Sequence, residues 1–234
     1  MDSTNAHALR EASSLTGPAW YLAGTQTAGK GRRARAWASP RGNFHATLVM
    51  RLAEPPAAIA LRSFAAALAL REALAALTQM PDALSLKWPN DVLLNGAKVA
   101  GILLENSGQR DGSSHLAVGI GVNLIAAPAA ADLEPGALPA VTLLQETGLR
   151  IDPRVLLDHL APAFARWEAV LASAGFVPLR VEWLAHAARL GTPIRARTMR
   201  ETHEGTFDTI DPAGNLVLST AQGRLAIPAA DVFF

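Results

Sequence analysis

Apolar residues recur along this chain in two rhythms, and the places where neither rhythm holds are equally informative. A helical spacing runs from Asp2-Ser3-Thr4, a polar trio suited to an N-cap, to about Leu15. Trp20-Tyr21-Leu22-Ala23 reads as a short strand, and residues 43–50 as a longer one. Between them, residues 24–42 lose all periodicity. Pro55-Pro56 then punctuates the chain, and residues 58–78 predict an apolar helix with Arg62, Arg71 and Glu72 as its solvent edge. Four compact apolar runs follow at 84–88, 91–94, 99–105 and 116–124. Their short connections, one of them the hairpin dipeptide Asn95-Gly96, predict an antiparallel meander. Residues 126–139, rich in Ala, Pro and Gly, predict a mobile loop.

Helices are expected at about 142–147, 153–172 and 178–188. Beyond Leu190 the pattern changes to short strands at 193–197, 205–210, 215–219 and 224–227, separated by turns such as Pro212-Ala213-Gly214. The expected architecture is α/β, more exactly placed as α+β: a main unit over residues 1–189 with a mixed, largely antiparallel sheet, and a small β-barrel over 190–234.

Composition narrows the chemistry. The 234 residues are enough for a sizeable core, and with 50% hydrophobic and 18% charged residues, wholesale disorder is excluded. With no cysteine, disulfides, zinc–thiolate sites, iron–sulfur ligation and thiol nucleophiles are excluded together. The net charge of +1 argues against general nucleic-acid coating. His7, His45, His115, His159, His186 and His203 show no ligand spacing and are expected at the surface or satisfied. The polar start of the chain lacks a signal-peptide layout. The longest uncharged stretch, between Asp111 and Asp132, carries Gly119, Gly121, Asn123 and Pro128, so it reads as a buried strand and loop rather than a membrane span. A cytoplasmic location is expected. Lysine is confined to Lys30, Lys87 and Lys98, the other basic residues being arginine.

The aperiodic segment carries the first chemical signal. Gly24 with Gly29-Lys30 has phosphate-loop spacing, but Gly31 stands where a magnesium-binding Ser or Thr is needed. Gly29-Lys30-Gly31-Arg32-Arg33-Ala34 fits a dinucleotide fingerprint, yet Ser39-Pro40 follows where a helix should. Without either label, Lys30, Arg32, Arg33, Arg35 and Arg41 concentrate positive charge, with no acid between Glu11 and Glu54. Glycines let backbone N–H groups approach an anion, and guanidinium groups grip phosphate. A solvated basic loop and a nucleic-acid patch are the competing readings. Lys87-Trp88-Pro89-Asn90-Asp91 is a polar cluster among apolar strands. Lys98, leading an otherwise apolar strand, needs an anionic partner; Lys87 is expected to pair Asp91 or Glu105. Gly119 and Gly121 alternate on one strand, leaving room for a flat ligand, and Asn123 ends that run.

Taken in order, Ser3-Thr4-Asn5, the Gly29–Trp37 loop, Lys87-Trp88-Pro89-Asn90-Asp91, Lys98…Gly101-Ile102-Leu103…Glu105 and Gly119-Ile120-Gly121-Val122-Asn123 resemble the biotin protein ligases. The resemblance continues through Thr142-Leu143-Leu144 and Trp183 to the end of the chain. It implies a class II aminoacyl-tRNA synthetase-like catalytic unit with an SH3-like C-terminal barrel. It also implies activation of biotin by ATP to biotinyl-5′-AMP, then transfer to one lysine of a biotin carboxyl carrier protein. By resemblance, Arg32 and Lys98 are catalytic. Ser3, Thr4, Asn5, Gln26, Gly29, Lys30, Gly31 and Gly101 join them in binding biotin. Arg33, Arg35, Trp37, Lys87, Asn90, Asp91 and Asn123 bind ATP and the adenylate. Magnesium arrives with ATP rather than in a preformed cage, and a homodimer is compatible. Ala34 departs from the glycine usual in the family, which bears on how the loop bends. Nothing precedes Asp2 that resembles a DNA-binding segment, so no DNA or membrane partner is expected. A lipoate-type ligase and, in another class, a nucleic-acid-binding module are the alternatives.

Overall fold

The computed structural model describes residues 1–108 and 112–234. Helix α1 (Thr4–Glu11) is capped by Ser3, whose hydroxyl accepts from the Ala6 N–H. Strands β1 (Ala19–Leu22) and β2 (Phe44–Leu52) follow, then helices α2 (Pro56–Ala60) and α3 (Arg62–Thr78). The single helix expected at 58–78 is therefore two. Strands β3 (Leu84–Lys87), β4 (Asp91–Leu94), β5 (Ala97–Asn106) and β6 (Ser114–Val122) form the expected meander. Asn95 and Gly96 both have positive φ, 51° and 79°, as a tight two-residue hairpin requires. Helix α4 (Leu143–Thr147) is capped by Thr142. Helix α5 (Pro153–Ala174) is capped by Asp152, with Pro153 in the first turn. Helix α6 (Phe176–Ala185) completes the helical layer.

The first sheet has the order β1-β2-β6-β5-β4-β3, and every ladder is antiparallel. The mixed sheet expected from sequence is thus corrected: among the described residues, parallel pairing occurs only in isolated bridges such as Leu86 with Ala187. Period-2 alternation assigns two faces. Phe44, Ala46, Leu48, Val92, Val118 and Val122 belong to one buried core with Leu70 and Leu74 of α3 and Trp183 of α6. The opposite face carries Thr47 and the glycines, with α1 laid across it.

Arg62 is a second correction. It is 2% exposed rather than a solvent edge, because Glu54 and Glu168 hold its Nη2 at 2.7 and 2.6 Å. A buried guanidinium is tolerable only with such partners.

The C-terminal residues form a second antiparallel sheet of β7 (Pro193–Arg197), β8 (Thr202–Ile210), β9 (Leu216–Thr220), β10 (Gly223–Ile227) and β11 (Asp231–Phe233), ordered β10-β9-β8-β7-β11. The last strand was not expected: Asp231-Val232-Phe233 is too short to show a period. The Trp88 indole N–H donates to the Gly214 carbonyl at 3.0 Å, tying the segment after β3 to the turn between β8 and β9. No helix among the described residues is long and apolar enough to cross a membrane.

Candidate active site

Strand register brings five residues into one row across the open face: His45 opposite Gly121, Gly121 opposite Gly101, Gly101 opposite Asp91, and Asp91 opposite Lys87. The two glycines make a trough in this row. A Cβ on Gly121 would lie 2.5 Å from the Trp37 indole nitrogen, and one on Gly101 3.3 Å from the same ring. Trp37 therefore rests on bare backbone, which explains the alternating glycines better than tight strand packing alone.

At one side of the trough stands a buried carboxylate. Asp91 lies 2.7 Å from Lys98 Nζ and 3.7 Å from Lys87 Nζ. Burial by itself would raise the Asp91 carboxyl, but the two ammonium groups outweigh it and hold it below the usual carboxylate range. Burial pulls Lys87 below the usual lysine range, with Asp91 opposing. Lys98 also lies 5.6 Å from the centroid of the Trp37 ring. The anionic partner that Lys98 required is thus Asp91; Glu105 instead accepts from Asn5 Nδ2 at 2.7 Å.

The next row forms a polar pocket. Thr47 donates to Asn5 Oδ1 at 2.6 Å and lies 2.8 Å from Thr4 Oγ1. Gln26 Oε1 accepts from the Thr4 N–H at 2.7 Å, and its amide donates to Ser39 at 2.9 Å. Asn5 fills the space above Gly119, where a Cβ would meet its Oδ1 at 2.3 Å. Ser3, Thr4 and Asn5 are all buried. The N-terminal tripeptide, Gln26 and the sheet are therefore locked together, with amide and hydroxyl groups suited to a neutral hydrogen-bonding ring.

The basic loop folds over the trough as a small hairpin. Lys30 bridges Ala36, the Gly31 N–H donates to Arg35, and the Trp37 N–H to Gly29. A Cβ on Gly29 would lie 2.6 Å from the Trp37 carbonyl, so only glycine fits. Arg33 and Ala34 both occupy the left-handed region, at φ 55° and 58°. Ala34 thus adopts the bend that a glycine would favour, at a cost in strain.

The arginines of this loop meet the C-terminal sheet. Asp231 lies 2.8 Å from Arg33, 3.7 Å from Arg32 and 3.5 Å from Arg197, and it also pairs Arg35. Burial would raise its carboxyl; the hydrogen bond from Arg35 and the surrounding arginines hold it below the ordinary range. Arg32 donates to the Ala230 carbonyl at 3.1 Å, and both Asp231 and Asp91 stabilise its charge against burial. Glu134, in the 126–139 segment, joins the cluster at 3.3 Å from Arg35 and 3.0 Å from Arg197.

The Asn90 side chain has a partner within the fold, and Asn123 is anchored through its backbone. Asn90 donates to the Ile102 carbonyl at 2.6 Å, bracing the turn. Asn123 is buried at the end of β6, its N–H on the Val99 carbonyl and its carbonyl receiving the Leu143 N–H. Lys30 is exposed and has no ion pair among the described residues. Sequence reading missed Thr47, Asp231, Glu134 and Arg197. Only Thr47 left a signal, a polar residue in period with His45 on an apolar strand. His45 itself is a correction: it is 1% exposed, its Nε2 faces the Pro40 carbonyl at 3.2 Å, and its Nδ1 has no hydrogen-bond partner among the described residues. Burial lowers its pKa, with the hydrogen bond to Pro40 opposing.

A trough with a polar pocket at one end and paired cations along it suits a substrate with a neutral ring and a reacting anion. Residues 1–123 match the model of the biotin/lipoate A/B protein ligase family, and residues 190–234 that of the biotin protein ligase C terminal domain. The chain belongs to the biotin/lipoate A/B protein ligase family. Within that family it is 56% identical over 233 residues to the biotin–[acetyl-CoA-carboxylase] ligase of Paracoccus denitrificans, covering all of this chain and 97% of that protein. It is 33% identical to the bifunctional ligase/repressor BirA of Bacillus subtilis, covering 90% of this chain and 64% of that protein. The fold matches the biotin protein ligase of Aquifex aeolicus solved with biotin and ATP, with a TM-score of 0.82 at 24% identity, covering 99% of this chain and 94% of that one.

Proposed function

We propose that this family member is an ATP-dependent, AMP-forming biotin–[acetyl-CoA-carboxylase] ligase. The observation that carries the reading is the glycine trough, with the Thr4–Asn5–Gln26 pocket on one side and Lys98, fixed by Asp91, on the other. Its full-length likeness to the Paracoccus ligase supports the choice of biotin within the family.

Residues 1–189 act as the catalytic unit, and 190–234 as an SH3-like barrel. Ser3, Thr4, Asn5 and Gln26 hold the biotin ring, with Gly29, Lys30, Gly31 and Gly101 lining its site. In the first step a biotin carboxylate oxygen attacks the α-phosphorus of ATP, and pyrophosphate leaves. Two anions must approach each other, so Arg32 and Lys98 offset their repulsion and stabilise the charge that builds at phosphorus. Arg33 and Arg35 exchange Asp231 for nucleotide phosphate. Trp37, Lys87, Asn90, Asp91 and Asn123 shape the nucleotide side. In the second step the ε-amine of a carrier-protein lysine attacks the acyl carbon and AMP leaves. The 126–139 segment keeps water from the mixed anhydride.

Magnesium enters with the ATP phosphates. Asp91, the acid nearest the trough, is already neutralised by Lys98 and Lys87, which suits charge supplied by the substrate complex rather than a carboxylate cage. Such a reaction belongs in the cytoplasm, where ATP and the carboxylase reside.

Exchange of labelled pyrophosphate into ATP is expected with biotin and not with lipoate, followed by biotin transfer to a carrier domain. Exchange driven by lipoate alone would reassign the substrate.

A further inference from the structure

The 126–139 segment is tied to the sheet in two unlike ways. At its far end the anchors are main-chain bonds. The Lys98 N–H donates to the Pro139 carbonyl at 2.8 Å, the Val141 N–H to the Lys98 carbonyl at 3.0 Å, and the Leu143 N–H to the Asn123 carbonyl at 2.8 Å. At its near end the anchor is one side chain. Asn43 Oδ1 accepts from the Ile125 and Ala126 N–H groups at 2.9 and 3.1 Å, and Asn43 Nδ2 donates to the Ala126 carbonyl at 2.7 Å. Asn43 is 1% exposed and stands just before β2, where the ladder with β6 ends at Phe44 and Val122. Its amide pairs with the Ala126 backbone as a neighbouring strand would, which takes a donor and an acceptor on one side chain. Gly42 leaves the room: a Cβ there would lie 2.3 Å from the Ile125 side chain. Asn43 also reaches the basic loop, its N–H donating at 3.3 Å to the same Pro40 carbonyl that His45 faces. Between the two ends, Glu134 lies 3.3 Å from Arg35. One buried amide therefore joins the exit of the basic loop to the root of a segment whose far end rests on the Lys98 backbone.

We propose that Asn43 is a positioning residue for retention of the acyl-adenylate, holding the root of the 126–139 segment so that this segment and the basic loop enclose the intermediate together. The inference rests on the ligase reading above. Asn43 touches no reacting atom; it acts through Ala126 on one side and Pro40 on the other. The main-chain anchors at the far end survive any side-chain substitution, so the near end is where a single change loosens the segment. The consequence is selective. Biotin by itself is held by the Thr4–Asn5–Gln26 pocket, which the Asn43 amide does not join. The adenylate also needs the segment above it, and a loosened root lets the intermediate out and water in.

The test compares the wild type with Asn43→Ala, each loaded with labelled biotin, ATP and magnesium and then freed of excess ligand. Release of biotinyl-5′-AMP from the variant is expected to be about tenfold faster, the fold-change that one or two net hydrogen bonds supply. Affinity for biotin without ATP, measured by calorimetry, should be unchanged. A glutamate-specific protease reads the segment directly: the adenylate should suppress cleavage after Glu134 in the wild type and not in the variant. Where Asn43→Ala fails to fold, Asn43→Asp replaces it; the carboxylate keeps the acceptor, forfeits the donor to Ala126 and should also release the adenylate faster. Release at the wild-type rate from a folded variant overturns the proposal. So does a loss of biotin affinity as large as the loss of adenylate retention, which marks a general structural role. A wild-type chain that forms no biotinyl-5′-AMP counts against the ligase reading itself and removes the proposal with it.

Discussion

Asp91 and Asp231 are both carboxylates ringed by cations of the candidate site, yet they are built in opposite ways. Asp91 sits on β4 among partners supplied by its own meander, Lys87 four residues back and Lys98 seven residues on. Strand register alone delivers Lys87 opposite it. Asp231 lies on the last strand, and the loop arginines that it holds are roughly two hundred residues away in sequence. The first arrangement is fixed with the sheet. The second exists only when the C-terminal sheet docks on the basic loop. One carboxylate holds its cations through the register of its own sheet; the other holds guanidinium groups of a distant loop, which under the proposed function a nucleotide would claim. Local construction suits a group that must not move, and long-range construction suits one that must let go.

The largest effect is expected from Lys98→Ala. Biotin-dependent pyrophosphate exchange should fall by about 10²–10³-fold, the usual consequence of deleting one group that stabilises developing charge. Stability should change little, since Asp91 keeps Lys87. Near-normal exchange would remove Lys98 from the reaction and leave Asp91 as a structural node only.

Asp91→Ala should reverse that balance between activity and folding. It leaves two ammonium groups facing each other in a largely buried place, and urea denaturation is expected to show a loss of about 3 kcal/mol. A loss no greater than that of Asp231→Asn would erase the proposed contrast. Gly121→Ala tests the floor between the nodes. Its Cβ collides with the Trp37 indole, so a cost of about 1–3 kcal/mol and quenched or shifted Trp37 fluorescence are expected.

Ala34→Gly acts on the loop that Asp231 clasps. Relief of the left-handed Ala34 should raise stability by about 1 kcal/mol. A lowered melting temperature would show that the bend is not strained.

The smallest effect belongs to Asp231→Asn, at about 1 kcal/mol or less near neutral pH, because its arginine partners are partly solvated. The pH dependence has a definite sign. The folded Asp231 carboxyl is held below its unfolded value of about 3.9. Its contribution is therefore complete above that value and lost as pH falls through the lower folded one. The wild type and the variant should converge only in strong acid. Convergence already between pH 5 and 7, measured by thermal melting, would mean that the carboxylate is not held by the arginines.

Much of this division was legible in the chain. The meander at 84–124 announced itself through alternating apolar runs and Asn95-Gly96, because short antiparallel connections leave few other pairings. The need of Lys98 for an anion followed from placing an ammonium at the head of an apolar strand. By contrast, Arg62 looked like a surface position because it was read with its helix alone; Glu168 arrives from α5, far along the sequence. His45 sits in a row whose members come from five strands, and no local pattern reveals that its Nδ1 ends without a partner among the described residues.

The sequence by itself determined most of the strands and helices, the alternating glycines, the clustering of positive charge at 30–41 and the family motifs, since each depends on spacing and residue type within short windows. Tertiary structure decided which acids neutralise those charges, why Trp37 covers the glycines and how the C-terminal sheet grips the loop. Those outcomes depend on burial and on distances between remote segments, and electrostatic interactions take their strength from both. Composition alone could say that positive and negative charges nearly cancel; only the fold could say that Asp91 and Asp231 do so at the site.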